Sequence, residues 1–199
     1  MFRPKKRKRQ SARVPRCKPS RRLFLESLES RRLLAGIVNV DTAGTPGSLT
    51  LDGDDSNNQV EVSAGTATGQ LVITAKGTTL LTLDGGPQTF SSLTVNGIVD
   101  DLVADLDGGN DTFELGTALP SDRTEIADDV RISNDDDDEN FIRNVDIGGT
   151  LTVDRLVDGA SSDLTIQDTI IRGDTTIDNT GGAAFDGDSK TMIERSELE

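Results

Sequence analysis

Short runs of alternating hydrophobic and polar residues follow one another along the chain after residue 36. The runs are SLTLDG (48–53), QVEVSA (59–64), QLVITAKG (70–77), TLLTLDGG (79–86), SLTVNG (92–97) and DTFELG (111–116). Alternation that includes β-branched residues and is bounded by Gly, Asp and Asn is typical of β-strands. No segment of this region keeps the period of about 3.6 residues that a helix requires. The pattern therefore predicts an all-β fold.

The last third of the chain also repeats. Residues 141–154 align with residues 165–178 at an offset of 24, and the matched pairs are Ile142/Ile166, Ile147/Ile171, Gly149/Gly173, Thr152/Thr176 and Asp154/Asp178. Further matches are Val130/Leu151 and Ile132/Val153 upstream, and Ile166/Ile193 and Ile171/Leu198 downstream. A repeat of 21 to 27 residues with two or three short strands predicts a β-solenoid, in which each unit makes one coil of a right-handed parallel β-helix. A β-sandwich is the alternative.

Charge divides the chain near residue 36. Residues 1–36 hold 13 Lys or Arg and two Glu, a net charge of +11, whereas residues 37–199 hold 8 Lys or Arg and 33 Asp or Glu, a net charge of −25. Such asymmetry is typical of a tail joined to a domain. We predict a disordered basic tail over 1–19 and a short helix over 20–36. A β-rich Gly/Asp repeat region over 37–127 and solenoid coils of about 24 residues over 128–199, incomplete at the C-terminus, follow them.

The segment over 20–36 combines features of a helix with features of an export signal. Ser20 can cap a helix and Gly36 can end it. The apolar stretch LLAGIVNV (33–40) is short and interrupted for an ordinary secretion signal, and no stretch has the length of a membrane span, so we predict no transmembrane helix. KKRKR (5–9) is compatible with nucleic-acid binding, but basic termini are weakly specific and nucleic acid is the less favoured partner.

LESRRLL, residues 28–34, resembles the LEPR-XLL segment found near the N-terminus of many large surface or secreted proteins of planctomycete bacteria. The matching residues are Leu28, Glu29, Arg31, Leu33 and Leu34, and Ser30 stands where that segment has proline. The preceding basic run and the lead-in RRLFLESL are similar too. The resemblance implies export or sorting to the cell envelope, with these five residues as the targeting segment.

Acidic turns make calcium a candidate ligand. GGNDTFE (108–114) is similar to the Gly/Asp repeats of the RTX type, and the candidate ligands are Asp107, Asn110 and Asp111, with NDDDDEN (134–140) as a second cluster. However, the RTX-like motif is shorter by two residues and occurs once, whereas such sites take ligands from consecutive coils. LDGDDSNN (51–58) lacks the spacing of an EF-hand loop. We therefore favour solvated turns and no cofactor, with calcium as the alternative.

The residue inventory excludes several classes of enzyme. The chain has no His, one Cys, no Trp and no Tyr, which excludes Ser-His-Asp and Cys-His catalysis, His- or Cys-rich zinc sites and intrachain disulfides. A polysaccharide lyase or hydrolase on a β-helix could still use carboxylates. It would need two or three carboxylates and an Arg in one concave groove. Because Trp and Tyr are absent and body cations are few, we predict that the protein is not an enzyme.

These patterns predict a non-enzymatic structural or adhesion protein of the cell envelope or the extracellular space. Its partners would be other envelope or matrix components, and an uncapped last coil would permit self-association. The alternatives are a polysaccharide-acting β-helix enzyme and, third, a protein that binds nucleic acid through its basic tail.

Overall fold

A computed structural model describes residues 36–97, 99–117, 123–134, 138–155, 163–178, 190–194 and 197–198. The regular elements of these residues are β-strands throughout, which confirms the predicted all-β class. The predicted basic tail lies outside the described residues, and so does the predicted helix apart from Gly36. The strands are β1 Ile37–Asp41, β2 Ser48–Asp52, β3 Gln59–Ala64, β4 Gln70–Ala75, β5 Leu80–Leu83, β6 Ser92–Asn96, β7 Asp101–Asp105, β8 Thr112–Gly116, β9 Thr124–Ile126, β10 Val130–Asn134, β11 Glu139–Arg143, β12 Val145–Ile147, β13 Leu151–Arg155, β14 Asp163–Gln167, β15 Ile170–Ile171, β16 Thr175–Asp178, β17 Lys190–Glu194 and β18 Glu197–Leu198.

Strands β2 to β6 and β8 lie where the alternating runs predict them. In β2, for example, Leu49 and Leu51 are buried while the residues between and beside them are not. Strand β1 was not predicted as a strand, because Ile37–Val40 was part of the apolar stretch weighed as an export signal. Val38 and Val40 are fully buried in the fold, so this stretch contributes to the core of the body.

The strands form three sheets. Sheet A has the order β16-β13-β10-β7-β2-β1-β5, sheet B the order β17-β14-β11-β8-β3-β4-β6, and sheet C the order β18-β15-β12-β9. From β7 onward the chain visits sheets A, B and C in turn, and we call each set of three successive strands a circuit. Neighbouring strands of successive circuits are parallel in all three sheets. Sheets A and B continue across residues 127 and 128 without interruption.

Like side chains stack across the circuits because the parallel strands are paired in register. The residues equated by sequence alignment are direct partners: Ile142 with Ile166, Ile147 with Ile171, Thr152 with Thr176, Ile166 with Ile193 and Ile171 with Leu198. In sheet A, Leu49, Leu102, Val130 and Leu151 form one continuous row, and each is at most 1% exposed. Burial of such a side chain stabilises the fold by about 1.5–3 kcal/mol.

The corners between sheets differ in length. From sheet B to sheet C the chain turns at Asn144 in one circuit and at Asp168 in the next, with φ angles of 55° and 51°. Asn and Asp tolerate this left-handed conformation better than other residues with a side chain, so the short corner requires these residue types. The first connection from sheet B to sheet C is longer and spans residues 117–123. The connections from sheet A to sheet B also vary in length, since they span residues 106–111 in one circuit and 156–162 in another.

Further strands add to β2 and β3, which pair in parallel with β7 and β8 of the first circuit. Strand β1 is antiparallel to β2 and strand β4 is antiparallel to β3, after which β5 extends sheet A and β6 extends sheet B. Their inward residues Val38, Val40, Leu71, Ile73 and Leu81 are buried and continue the core. Among the described strands, sheet C has no such additions, and β9 is its edge strand at this end.

Several buried positions are polar, and Asn140 and Asn58 differ in how their side-chain amides are satisfied. Asn140 is 1% exposed and lies in sheet B between Phe113 and Leu164, and neither side-chain amide atom has a hydrogen-bond partner within the described structure. Burial of an amide without hydrogen bonds destabilises a fold by about 1–3 kcal/mol. Asn58 is also fully buried, but its Nδ2 donates to the carbonyl oxygens of Ser56 at 2.7 Å and Asp54 at 3.0 Å.

We therefore expect Asn140→Leu to raise the free energy of unfolding by about 1–2 kcal/mol, because it removes an unsatisfied amide from an apolar row. The matched change Asn58→Leu should lower the free energy of unfolding, since the carbonyl oxygens that accept from Nδ2 lose their donor. Urea unfolding followed by far-ultraviolet circular dichroism measures both. A less stable Asn140→Leu variant would contradict the expectation.

Candidate functional site

A column of buried Asn and Asp residues precedes the strands of sheet B. Asn58, Asp111 and Asp138 are at most 3% exposed, and they come directly before β3, β8 and β11. The backbone N–H of Asn58 donates to Asp111 Oδ1 at 2.7 Å, and the N–H of Asp111 donates to Asp138 Oδ1 at 2.9 Å. The carboxylate of Asp111 therefore satisfies the buried N–H of Asn58, which precedes β3. The carboxylate of Asp138 satisfies the buried N–H of Asp111, which precedes β8. Asp111 and Asp138 serve the fold in this way, whatever else they bind.

The acidic turn before β3, within LDGDDSNN (51–58), and the acidic turn before β8, which contains Asp107, Asn110 and Asp111, lie against each other. Residues 53–58 and 106–111 are connections of equal length in adjacent strand pairs, and the N–H of Asn110 donates to Asn57 Oδ1 at 3.2 Å. A Cβ placed on Gly108 would lie 3.9 Å from Asp55 Oδ1. Asp107 is exposed at φ 62°. Within the described residues no three carboxylate or thiolate side chains come together in a group that could hold a metal ion.

The second candidate site is a groove of about 360 Å³ on the outer face of sheet A. Asp101 and Asp129 line it from neighbouring strands, together with Arg131. Asp101 Oδ1 accepts from the N–H of Asp129 at 3.4 Å, and Asp129 Oδ1 accepts from the N–H of Thr150 at 2.6 Å. These bonds tie each carboxylate to the next strand and engage one of its two oxygens.

On the acidic side of this groove, Gly149 leaves space for the carboxylate of Asp129. A Cβ on Gly149 would overlap the carboxylate oxygen of Asp129, so a larger residue there would displace that side chain. On the other side of the groove, Arg131 Nη2 lies 2.7 Å from Asp154 Oδ2 and Nε lies 3.0 Å from the same oxygen. The ion pair joins β10 to β13 and holds the guanidinium at the surface of sheet A.

These groove residues were missed by sequence reasoning. The sequence signal was the repetition of an Asp-Asp pair before a strand, in DDLVA at residues 100–104 and in DDVRI at residues 128–132. The pairing of Leu102 with Val130 places Asp101 and Asp129 side by side. Because the two are 28 residues apart in sequence, only the register of the parallel strands reveals the juxtaposition.

The outer face of sheet B presents a different surface. Phe141 faces outward there, and the guanidinium carbon of Arg143 lies 4.2 Å from the centre of its ring. Nearby, Lys76 Nζ lies 2.7 Å from Glu61 Oε2. This hydrogen bond to Glu61 raises the pKa of Lys76. The contact of Arg143 with Phe141 lies within β11. The contact of Lys76 with Glu61 joins the residue after β4 to the neighbouring strand β3.

The five targeting residues, Leu28, Glu29, Arg31, Leu33 and Leu34, lie outside the described part of the chain. The described chain begins at Gly36, where a Cβ would lie 2.5 Å from Asn58 Oδ1. The carbonyl of Gly36 accepts from the N–H of Leu80 at 2.8 Å. Gly36, two residues after Leu34, is thus packed closely against Asn58 and Leu80.

Comparison with known proteins bears on the N-terminal segment. Residues 20–38 match the family model described as "Planctomycete extracellular", and this range includes all five targeting residues and the first two residues of β1. No curated protein and no solved structure matches the chain. Among the described residues, no helix has the length and apolar character needed to cross a membrane.

The match confirms the resemblance of LESRRLL to the LEPR-XLL segment. Its description indicates an extracellular or envelope location. Residues 20–38 of this chain are similar to the planctomycete extracellular family, and the LEPR-XLL-like segment lies within that range.

Proposed function

We propose that the protein is a non-enzymatic structural or adhesion component of the cell envelope or the extracellular matrix. The observation that carries the proposal is the match of residues 20–38 to the planctomycete extracellular model. The acidic body, with a net charge of −25 over residues 37–199, suits a hydrated surface location. The proposed partners are other envelope or matrix components.

For the body we propose a β-solenoid with one coil per circuit, in the form of a right-handed parallel β-helix. Support comes from the regular visits to sheets A, B and C and from the in-register parallel pairing of successive circuits. Parallel strands joined through a crossover are right-handed in nearly all proteins, which supports the handedness. Such a stack is a stiff rod whose sheets offer long outer faces to partners.

A second candidate function is supported by the groove on sheet A. Asp101, Asp129 and Arg131 are two carboxylates and a guanidinium in one concave surface, the combination expected of a polysaccharide lyase or hydrolase. Against this reading, one oxygen of each carboxylate already accepts a backbone N–H, and the guanidinium is paired with Asp154. We therefore keep the non-enzymatic role as the first proposal.

The location is tested by fractionating cells of the native host that express the tagged full chain. We expect the protein in the envelope or extracellular fraction. Replacement of Leu28, Glu29, Arg31, Leu33 and Leu34 by Ala should retain it in the cytosol. The matched control Ser30→Pro, which restores the residue of the LEPR-XLL segment, should leave the location unchanged. The proposal would be contradicted if the wild type and both variants were all recovered in the cytosolic fraction.

The absence of turnover is tested with the purified full chain and a panel of soluble polysaccharides. We expect no new reducing ends and no unsaturated products during prolonged incubation, and the double variant Asp101→Asn/Asp129→Asn serves as the blank. Product release by the wild type that this double variant abolishes would establish the enzyme instead.

The role of calcium is tested at the stacked turns. Asp111→Ala should lower the free energy of unfolding by about 1–3 kcal/mol with or without calcium, because the buried N–H of Asn58 loses its acceptor. Asp107→Asn should have the same melting temperature as the wild type, both in EDTA and in calcium chloride, since Asn tolerates the left-handed conformation. A rise in the wild-type melting temperature with calcium that Asp107→Asn removes would show a calcium site.

A further inference from the structure

We propose that the groove on the outer face of sheet A binds a carbohydrate chain, which Asp101 and Asp129 hold by accepting hydrogen bonds from its hydroxyl groups. This inference rests on the extracellular role proposed above and names the chemical class of the partner. Charged, hydroxyl and apolar groups line this groove, which has a volume of about 360 Å³.

The first argument is the supply of free acceptors. Asp101 and Asp129 each use one oxygen for a backbone N–H, and the second oxygen has no protein partner among the described residues. The backbone bonds hold the carboxylates in place, so a ligand does not have to order them on binding. Hydrogen bonds from ligand hydroxyls to a fixed carboxylate are charge-assisted and therefore strong.

The second argument is the presence of donors in the same groove. Ser48, Thr150 and Thr152 line it, and their hydroxyls have no hydrogen-bond partner in the described structure. Arg131 adds N–H groups that the single oxygen of Asp154 does not use. A ligand with many hydroxyl groups can donate to the carboxylates and accept from these donors at the same time.

The third argument is shape. Ser48 and Asp101 begin β2 and β7, and Asp129 and Thr150 directly precede β10 and β13, so the four residues stand in one row at the spacing of parallel strands. Three such steps make the row about 14 Å long. The neighbouring row contains Val103, which gives the groove an apolar patch for the C–H face of a sugar ring. An elongated polar groove with an apolar floor fits a linear saccharide better than a compact ion.

A basic peptide is the competing ligand, because the body is acidic. Such a ligand would use the two carboxylates but would leave the hydroxyls without partners, and it would be repelled by Arg131. The two ligands therefore predict opposite effects for Arg131→Gln. This change should weaken binding of a carbohydrate, which loses a donor, and strengthen binding of a cation.

Affinity electrophoresis of the full chain tests the inference in native gels that contain neutral, acidic or amino-sugar polysaccharides, or poly-lysine. We expect retardation by at least one polysaccharide that persists at high salt. The double variant Asp101→Asn/Asp129→Asn should reduce that affinity by about tenfold or more, and Arg131→Gln should reduce it too. The amide oxygens of the Asn side chains can still accept from the backbone, so the fold is retained.

The matched control is Glu125→Gln/Glu139→Gln, which changes the net charge equally on sheets C and B, where both residues are exposed. It should bind as the wild type does. The inference is overturned by equal retardation of wild type and the Asp101/Asp129 variant, or by no retardation in any polysaccharide. It is also overturned if only poly-lysine binds, in a salt-sensitive manner that Arg131→Gln enhances. A protein found outside the cell that binds no polysaccharide would refute this inference and leave the proposed location standing.

Discussion

In-register pairing of parallel strands is the interaction on which the rest of this structure depends. It stacks one inward aliphatic residue on the next, so that Leu49, Leu102, Val130 and Leu151 form a single buried row in sheet A. The same pairing satisfies the backbone amides that this burial removes from water. Since no strand has a hydrophobic core of its own, stability comes from the contact between neighbouring circuits. Strands β1 and β5 add to β2, and strands β4 and β6 add to β3, so they extend the sheets beyond the first circuit.

The strict register also decides what the acidic residues do. Asp111 and Asp138 are buried because they stand in one column with Asn58, where each carboxylate accepts the N–H of the residue stacked on it. Asp129 does the same for Thr150 at the entrance to sheet A. These three carboxylates thus serve as hydrogen-bond acceptors at the entrances to the strands. The net charge of −25 over residues 37–199 disfavours anionic partners.

The targeting segment and the groove bear on two different properties of the protein, its location and its proposed ligand. Residues 20–38 match an extracellular model and concern destination, whereas the groove concerns what the folded body can hold once it is there. Gly36, two residues after Leu34, approaches Asn58 closely. The net charge also changes sign near this residue, from +11 over residues 1–36 to −25 over residues 37–199.

The sequence by itself determined the all-β class, most strand positions and the targeting segment. Alternation, turn residues and a short linear motif are local properties, so they can be recognised in the amino-acid sequence alone. The alignment of residues 141–154 with 165–178 even anticipated which side chains become partners. Only the tertiary structure decided which acids are buried and which line a groove. Asp111 was a candidate ligand and is a buried acceptor, while Asp101, Asp129 and Arg131 were overlooked and share one cavity. The reason is physical: strand register brings together residues that the chain separates by 21 or 28 positions, and no local pattern records that pairing.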